Sequence, residues 1–324
     1  MSIHITSKEM ALPDAAYEPV TVVLDWGTTN FRAFLVKSDG SIVDEKIGDR
    51  GIQSVTKGEH ARVVSEGLAS WRAEYGPLDI VAAGMIGSRN GWIEMPYVPT
   101  PAAVGDLAAA CRTIELAQGD RLTFLPGLTD PTAFPFPDVM RGEETQLVGF
   151  GLNRDMVVVL PGTHAKWAEI KGGRIERFRT FVTGEIYATL ASHSFLSKVA
   201  TAERDHATAA FAEGIALAQQ ECARAGGLLT RLFAVRTGWL AGTITTDEMK
   251  SRLSGLIVGW EFVEARAGGW FKEGDTIAVV GDDDLVEVYE RVATAFGLEL
   301  APAPADAAIR GALEISGRRS AAAT

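Results

Sequence analysis

The sequence predicts an α/β protein of two duplicated lobes, each a mixed sheet flanked by helices, closing on a shared cleft. Three observations predict it. The first is a polar tight turn between two apolar runs, Val22-Val23-Leu24-Asp25-Trp26-Gly27-Thr28-Thr29-Asn30 and Phe31-Arg32-Ala33-Phe34-Leu35-Val36. The second is a copy of that layout near mid-chain, Met156-Val157-Val158-Val159-Leu160-Pro161-Gly162-Thr163-His164-Ala165-Lys166-Trp167-Ala168-Glu169-Ile170, again with Gly-Thr at the turn. The third is a late apolar strand, residues 276–280, that breaks at Gly281 and passes at once into a helix.

Bulk properties bound the answer. A chain of 324 residues, 47% hydrophobic and 23% charged, is long enough to bury two lobes. We read residues 1–19 as a flexible lead-in, 20–150 as the first lobe and 151–324 as the second. A formal net charge of −11 without any Lys/Arg run argues against a nucleic-acid groove or an anionic membrane surface as partner. Cys111 and Cys222 are isolated and no Cys/His cluster occurs, which argues against a disulfide framework or structural zinc and fits a reducing cytoplasm. The lead-in lacks the apolar core of a signal peptide, and no apolar run reaches membrane-spanning length. Oligomeric state is left open, a homodimer included.

Each element follows from local pattern. In the first turn Gly27 lets the backbone approach a ligand, and the N–H and hydroxyl groups of Thr28, Thr29 and Asn30 form a nest for phosphate oxygens. Asp25 stands at its mouth, placed to hold a phosphate-bound Mg²⁺. Taken alone, the same residues fit an ordinary hairpin turn; the second copy decides for phosphate. Residues 41–47 alternate as a third, solvent-facing strand leading to Gly48-Asp49-Arg50-Gly51-Ile52-Gln53, where Gly51 joins the substrate-facing set. A helix is expected over residues 58–75, stopped by Gly76-Pro77, then a buried strand over 79–85.

That strand empties into Gly84-Met85-Ile86-Gly87-Ser88-Arg89-Asn90-Gly91-Trp92-Ile93-Glu94, a glycine-punctuated loop at a strand's carboxyl end. Arg89 offers a forked donor for a carboxylate, Asn90 and Glu94 bond hydroxyls, and Trp92 covers a sugar-like face. Arg32, Arg50 and Arg141 are rivals for the carboxylate. A helix near residues 104–116 and a strand over 122–127 follow. Gly142 before Glu143 and Glu144 marks a helix start, with acids favoured there by the dipole, and it leads straight to the second turn.

In the second turn Gly162 and Thr163 repeat the phosphate nest. His164 and Lys166 add donor or positive character, against packed, structural or solvent-facing roles. No carboxylate matches Asp25 there, the position being near Leu160-Pro161. Thr183 is an expected helix cap, with Glu185 a further site candidate. Residues 207–266 are mostly helical. Gly281 breaks the strand in an order that resembles the adenosine element of the superfamily named below, and Asp282, Asp283 and Asp284 are expected to cap the helix after it, with at most one touching ribose. Residues 306–315 form a closing helix, and the chain frays from 317.

The paired turns resemble the sugar kinase, heat-shock protein and actin superfamily, which implies actin-like (ribonuclease H-like) lobes with ATP in the cleft. Asp25–Arg32, the Gly84–Trp92 loop, Met140-Arg141-Gly142-Glu143-Glu144-Thr145-Gln146 and Leu160–Trp167, taken in this order, resemble the 2-dehydro-3-deoxygalactonokinase family. The resemblance implies ATP- and Mg²⁺-dependent phosphorylation of 2-dehydro-3-deoxy-D-galactonate on its terminal hydroxyl, in galactonate catabolism. By a further likeness to the Gly-x-Glu-Glu segment of exopolyphosphatases, Glu144 is the first candidate for the base and Glu143 the second. A phosphoanhydride hydrolase of that type, a kinase for the gluconate epimer, and a non-catalytic binding regulator are the alternatives.

Overall fold

Alternating apolar residues in the first fifty positions form the expected meander: β1 (Val20–Trp26), β2 (Phe31–Lys37) and β3 (Ile42–Gly48). The structure is a computed structural model describing residues 20–28, 30–48, 50–221 and 226–317. The lead-in, Thr29, Cys222 and the end of the chain beyond residue 317 lie outside the described residues. β3 is the solvent-facing edge, exposed along most of its length, with Asp44 accepting from the Trp71 indole at 2.7 Å.

The single helix expected over residues 58–75 is two, α1 (His60–Gly67) and α2 (Ala69–Tyr75), parted at Leu68 and ended at Gly76. Next come β4 (Asp79–Ala83), β5 (Tyr97–Pro99), α3 (Val104–Ala109), β6 (Arg112–Glu115) and β7 (Arg121–Phe124). Here the expectation is corrected, since the helix near 104–116 stops at Ala109. β-Branched Thr113 and Ile114 favour a strand, and β6 pairs antiparallel with β7, a contact reinforced by Thr113 Oγ1 to Thr123 Oγ1 at 2.9 Å. The strand expected over 122–127 is likewise split, continuing as β8 (Gly127–Asp130) after Leu125-Pro126. With β5 and β9 (Asp138–Met140), β8 forms a small sheet of order β5-β8-β9 that sequence reading missed.

The second half repeats the first. α4 (Glu143–Phe150) leads to β10 (Met156–Leu160), β11 (Ala165–Lys171) and β12 (Arg174–Phe181). Helices α5 (Thr183–His193), α6 (Ala209–Gln219), α7 (Leu228–Leu240) and α8 (Met249–Ala267) follow, then β13 (Thr276–Val279), α9 (Asp283–Ala295), β14 (Glu299–Ala301) and α10 (Ala307–Ile315). The first sheet runs β3-β2-β1-β4-β7-β6 and the second β12-β11-β10-β13-β14, so five strands correspond one to one, the last three of each set parallel. No described helix is long and apolar enough to cross a membrane.

One buried cluster joins the sheets: Val23 and Val81 from the first, Val158 and Leu160 from the second, with Leu147 of α4 and Leu313 of α10 between. α4 and α10 cross at glycines. A methyl group added to Gly149 would lie 1.8 Å from the Ala307 carbonyl oxygen, and one on Gly311 1.8 Å from that of Thr145. Only glycine allows this contact. α10 also reaches β1, β4 and α3 of the first half.

Candidate active site

The cleft is built by backbone meeting backbone. Parallel pairing sets Asp25 beside Ala83, and the next residue, Gly84, turns with φ +84°. A methyl group there would stand 3.1 Å from Asp25 Oδ1, and Gly142, at φ +107°, lies against Gly84 in turn. A side chain at either glycine would strain the backbone, and at Gly84 it would also crowd Asp25 and the Trp26 carbonyl. The Gly84–Gly142 junction borders a cavity of about 430 Å³ whose walls include Asp25, Gly27, Arg32, Glu143, Gly281 and Asp282. It draws on both lobes, the second through Val280, Gly281, Asp282 and residues 305–309; Gly162, Thr163, His164 and Lys166 of the second turn are not in its lining.

Strand register places a cation at the same position in each hairpin: Arg32 opposite Asp25, and Lys166 opposite Leu160. Arg32 donates to Asp25 Oδ2 through Nη2 at 2.7 Å and Nε at 3.2 Å, and reaches Asp282 of the other lobe at 3.4 Å. Leu160 offers no such partner, so Lys166 turns to α4: its Nζ lies 3.1 Å from Glu143 Oε1 and donates to the His164 carbonyl at 2.8 Å. Lys166 is only 3% exposed, which corrects the solvent-facing alternative. The carboxylate missing from the second turn is thus supplied by α4.

The neighbouring glutamates part company. Glu143 lines the cavity and accepts from the Arg141 amide at 3.0 Å. Glu144 is fully buried, its carboxylate folded back on the Gly142 amide at 2.7 and 2.9 Å. Burial, then the charge of Glu143, pushes its pKa up to about 8. Only Glu143 reaches the cleft, whereas the sequence reading expects both glutamates to face it and the resemblance ranks Glu144 first as the base.

At the second turn the first turn of α5 packs on the hairpin. A methyl group on Gly184 would lie 2.4 Å from the Gly162 carbonyl, the Glu185 amide donates to the Thr163 carbonyl at 3.0 Å, and Glu185 Oε2 lies 2.6 Å from His164 Nε2. Thr183 does not cap this helix; Val182 holds the cap position. The Thr183 hydroxyl instead donates to the buried Glu261 carboxylate, which also accepts from Trp167 Nε1 and the Tyr289 hydroxyl, each at 2.7 Å. Asp282, likewise expected as a side-chain cap, makes no cap bond and faces Arg32. Gly281 lies 3.5 Å, by its would-be methyl, from Pro161 of the second turn.

Glu261 escaped sequence reading. Its only signal was a charge inside an apolar helical stripe, Trp260-Glu261-Phe262. Burial raises its pKa to about 7, outweighing three donors that favour the anion. A carboxyl raised in the folded chain binds a proton that the unfolded chain, near 4.5, has released. Its stabilising effect is therefore full below pH 4.5 and is lost as pH rises through 7. Glu261→Gln should flatten the loss of stability between pH 5 and 8 by roughly 2–3 kcal/mol. Urea midpoints across that range check it; parallel wild-type and variant curves would refute the buried charge.

The Gly84–Glu94 loop is placed differently from the first turn's other partners. Arg89, Asn90 and Glu94 are exposed and do not line the cavity. Trp92 is committed to packing, stacked on His60 with centroids 5.8 Å apart and edge-on to Phe124. Gly51 is buried, and beside it the Ile52 amide donates to the Gly27 carbonyl at 3.0 Å, clasping the first turn. Thr28 and Asn30 are exposed at that turn, whose closing bond runs from the Gly27 amide to the Asn30 carbonyl. Among the described residues no cluster of three or more His, Cys, Asp or Glu side chains forms a metal cage. A Mg²⁺ ion held by one or two carboxylates plus substrate phosphates needs no such cage.

Comparison with known proteins agrees with this architecture. Residues 25–315 match the family described as 2-keto-3-deoxy-galactonokinase. A Rhizobium meliloti protein assigned as a 2-dehydro-3-deoxygalactonokinase is 35% identical over 301 residues, 91% of this chain and 95% of its own. The 2-dehydro-3-deoxygalactonokinase of Escherichia coli is 30% identical over 293 residues, covering 90% and 95%. A crystal structure of a Sinorhizobium meliloti protein, assigned the same activity, superposes with a TM-score of 0.82 at 32% identity, covering 92% of this chain and 98% of the other.

Proposed function

The chain belongs to the 2-keto-3-deoxy-galactonokinase family, and from that premise we propose that it transfers the γ-phosphate of ATP to the terminal (6-) hydroxyl of 2-dehydro-3-deoxy-D-galactonate. The products are 2-dehydro-3-deoxy-6-phosphogalactonate and ADP, formed in the cytoplasm during galactonate catabolism. The observation that carries the mechanism is that Asp25 and Glu143 both line one cavity, each tied to a cation at the matching hairpin position.

Phosphoryl transfer asks a protein mainly for positioning and charge. Gly27, Thr28 and Asn30 from one turn, and Gly162 and Thr163 from the other, are suited to flank the phosphates; Gly281 suits the adenosine. Asp25 would hold Mg²⁺, which neutralises charge developing on the phosphates. Glu143 is our choice for the group that orients the acceptor hydroxyl and receives its proton, because it reaches the cavity and Glu144 does not. Lys166 fixes the Glu143 carboxylate in place. Glu143→Gln should therefore lower kcat by about 10²–10⁴-fold with little change in KM for ATP, whereas Glu144→Gln should stay within about tenfold of wild type. Equal losses in both variants would reject this division of roles.

The function itself is tested by ADP release with ATP and Mg²⁺ in the presence of 2-dehydro-3-deoxygalactonate, its gluconate epimer, or no acceptor. Turnover with the galactonate-derived acid foremost is expected. Phosphate release without acceptor would point to a hydrolase instead.

A further inference from the structure

Arg141 stands apart from the other arginines near the cleft. It follows β9 and directly precedes the Gly142 junction, so its backbone is one residue from the point where Asp25, Gly84 and Gly142 meet. Its guanidinium lies over the Tyr97 ring at 4.3 Å, donates through Nη2 to the Met95 carbonyl at 2.9 Å, and lines the cavity. Nε and Nη1 are buried and have no hydrogen-bond partner. No carboxylate among the described residues hydrogen-bonds to it, although its charge acts on the buried Glu144 carboxylate nearby. A half-buried cation with two buried, unmatched donors is costly unless something it meets in the working state accepts from them. The Ser88 hydroxyl, one residue beyond Gly87, where an added methyl would lie 3.0 Å from Arg141 Nη1, is also buried and unpartnered.

We propose that Arg141, rather than the exposed Arg89, is the residue that recognises the carboxylate end of the 2-oxo acid substrate. The reading rests on the kinase function above. Arg32 is already matched by Asp25 and Asp282, and Arg89 is turned to solvent, so Arg141 is the cavity arginine with donors to spare. A guanidinium suits a carboxylate, and its stacking on Tyr97 fixes its plane before substrate arrives. Sitting on the first-lobe side of the Gly84–Gly142 junction, it would hold the acid end there and leave the far hydroxyl free to face the phosphates. Acid recognition and phosphate transfer would then be divided between the two ends of one cavity.

The test compares 2-dehydro-3-deoxygalactonate with its uncharged carboxamide as acceptors. Wild type should prefer the acid by on the order of 100-fold in kcat/KM. Arg141→Gln should bring that ratio close to one through a raised KM for the acid, with KM for ATP unchanged, while Arg89→Gln should keep the wild-type ratio. Should Arg141→Gln fail to fold, Gly87→Ala is a second route, because the added methyl would lie 3.0 Å from Arg141 Nη1 and displace it; the ratio should fall there too. The inference is overturned if wild type shows no preference for the acid, if Arg141→Gln keeps the ratio, or if Arg89→Gln loses it. Wild-type turnover with the acid in those cases would leave the kinase reading standing; no turnover with either acceptor would bring down both.

Discussion

Asp25→Asn is expected to lower kcat by about 10²–10⁴-fold and to leave the fold intact. The two halves of that expectation have separate causes. Asp25 is the carboxylate at the mouth of the first turn, pressed against Gly84 and opening on the cavity, so its charge is available to a phosphate-bound metal. Its ion pair with Arg32 is partly solvent-exposed, 39% for the arginine side chain and 30% for the aspartate, and pairs of this kind contribute only about 0–1 kcal/mol. Arg32 also keeps Asp282 as a partner. The variant should therefore unfold within a few degrees of wild type while turning over slowly, and its remaining activity should respond little to added Mg²⁺. Near-normal kcat at saturating Mg²⁺ would remove Asp25 from the metal role.

Gly311→Ala, or Gly149→Ala, should destabilise the protein by about 3 kcal/mol or more, beyond the usual range for one added methyl group. At 1.8 Å from a carbonyl oxygen the new carbon cannot be accommodated by a side-chain shift, because the clashing atoms belong to the opposing helix backbone. α4 and α10 must separate. Because Glu143 begins α4, kcat should fall along with stability, in contrast to Asp25→Asn. Gly105→Ala in α3 is the control: nothing lies within 4 Å of the added methyl, and alanine favours a helix by about 0.5–1 kcal/mol. Denaturant midpoints and steady-state rates for the three variants decide it, and a Gly311→Ala protein as stable as wild type would contradict the close crossing.

The features legible in the sequence were those set by short-range rules. Both hairpins, Gly142 as a helix start and the strand–Gly281–helix element follow from period-two alternation and from backbone turns that demand glycine. What stayed hidden depends on partners distant in sequence. The β5-β8-β9 sheet has strands of three or four residues interrupted by prolines, too short for any periodicity to register. In the Gly84–Glu94 loop, composition shows which groups are available but not where they point; Trp92 is turned inward by His60 and Phe124, and Arg89 outward. Glu143 and Glu144 share the same local signal, and only the packing of α4 against the first sheet and α10 separates a cavity-lining carboxylate from a buried one. Lys166 was ambiguous for a related reason, since its partner Glu143 lies on another element.

The return of α10 to the first half of the molecule bears on how the chain is made. β1, β4, α3 and α4 leave the ribosome early, yet the helix that closes over them is among the last described segments to be synthesised. Until then the apolar faces of Val23, Val81 and Leu147 lack the cover that Leu313 and its neighbours provide. The first lobe is thus not an autonomous unit that matures during translation, and its completion waits on a contact between distant parts of the chain, a type of closure that slows folding and exposes intermediates to aggregation. Expression of the first half alone should yield an aggregation-prone species, and supplying the α10 segment in trans should increase its soluble yield.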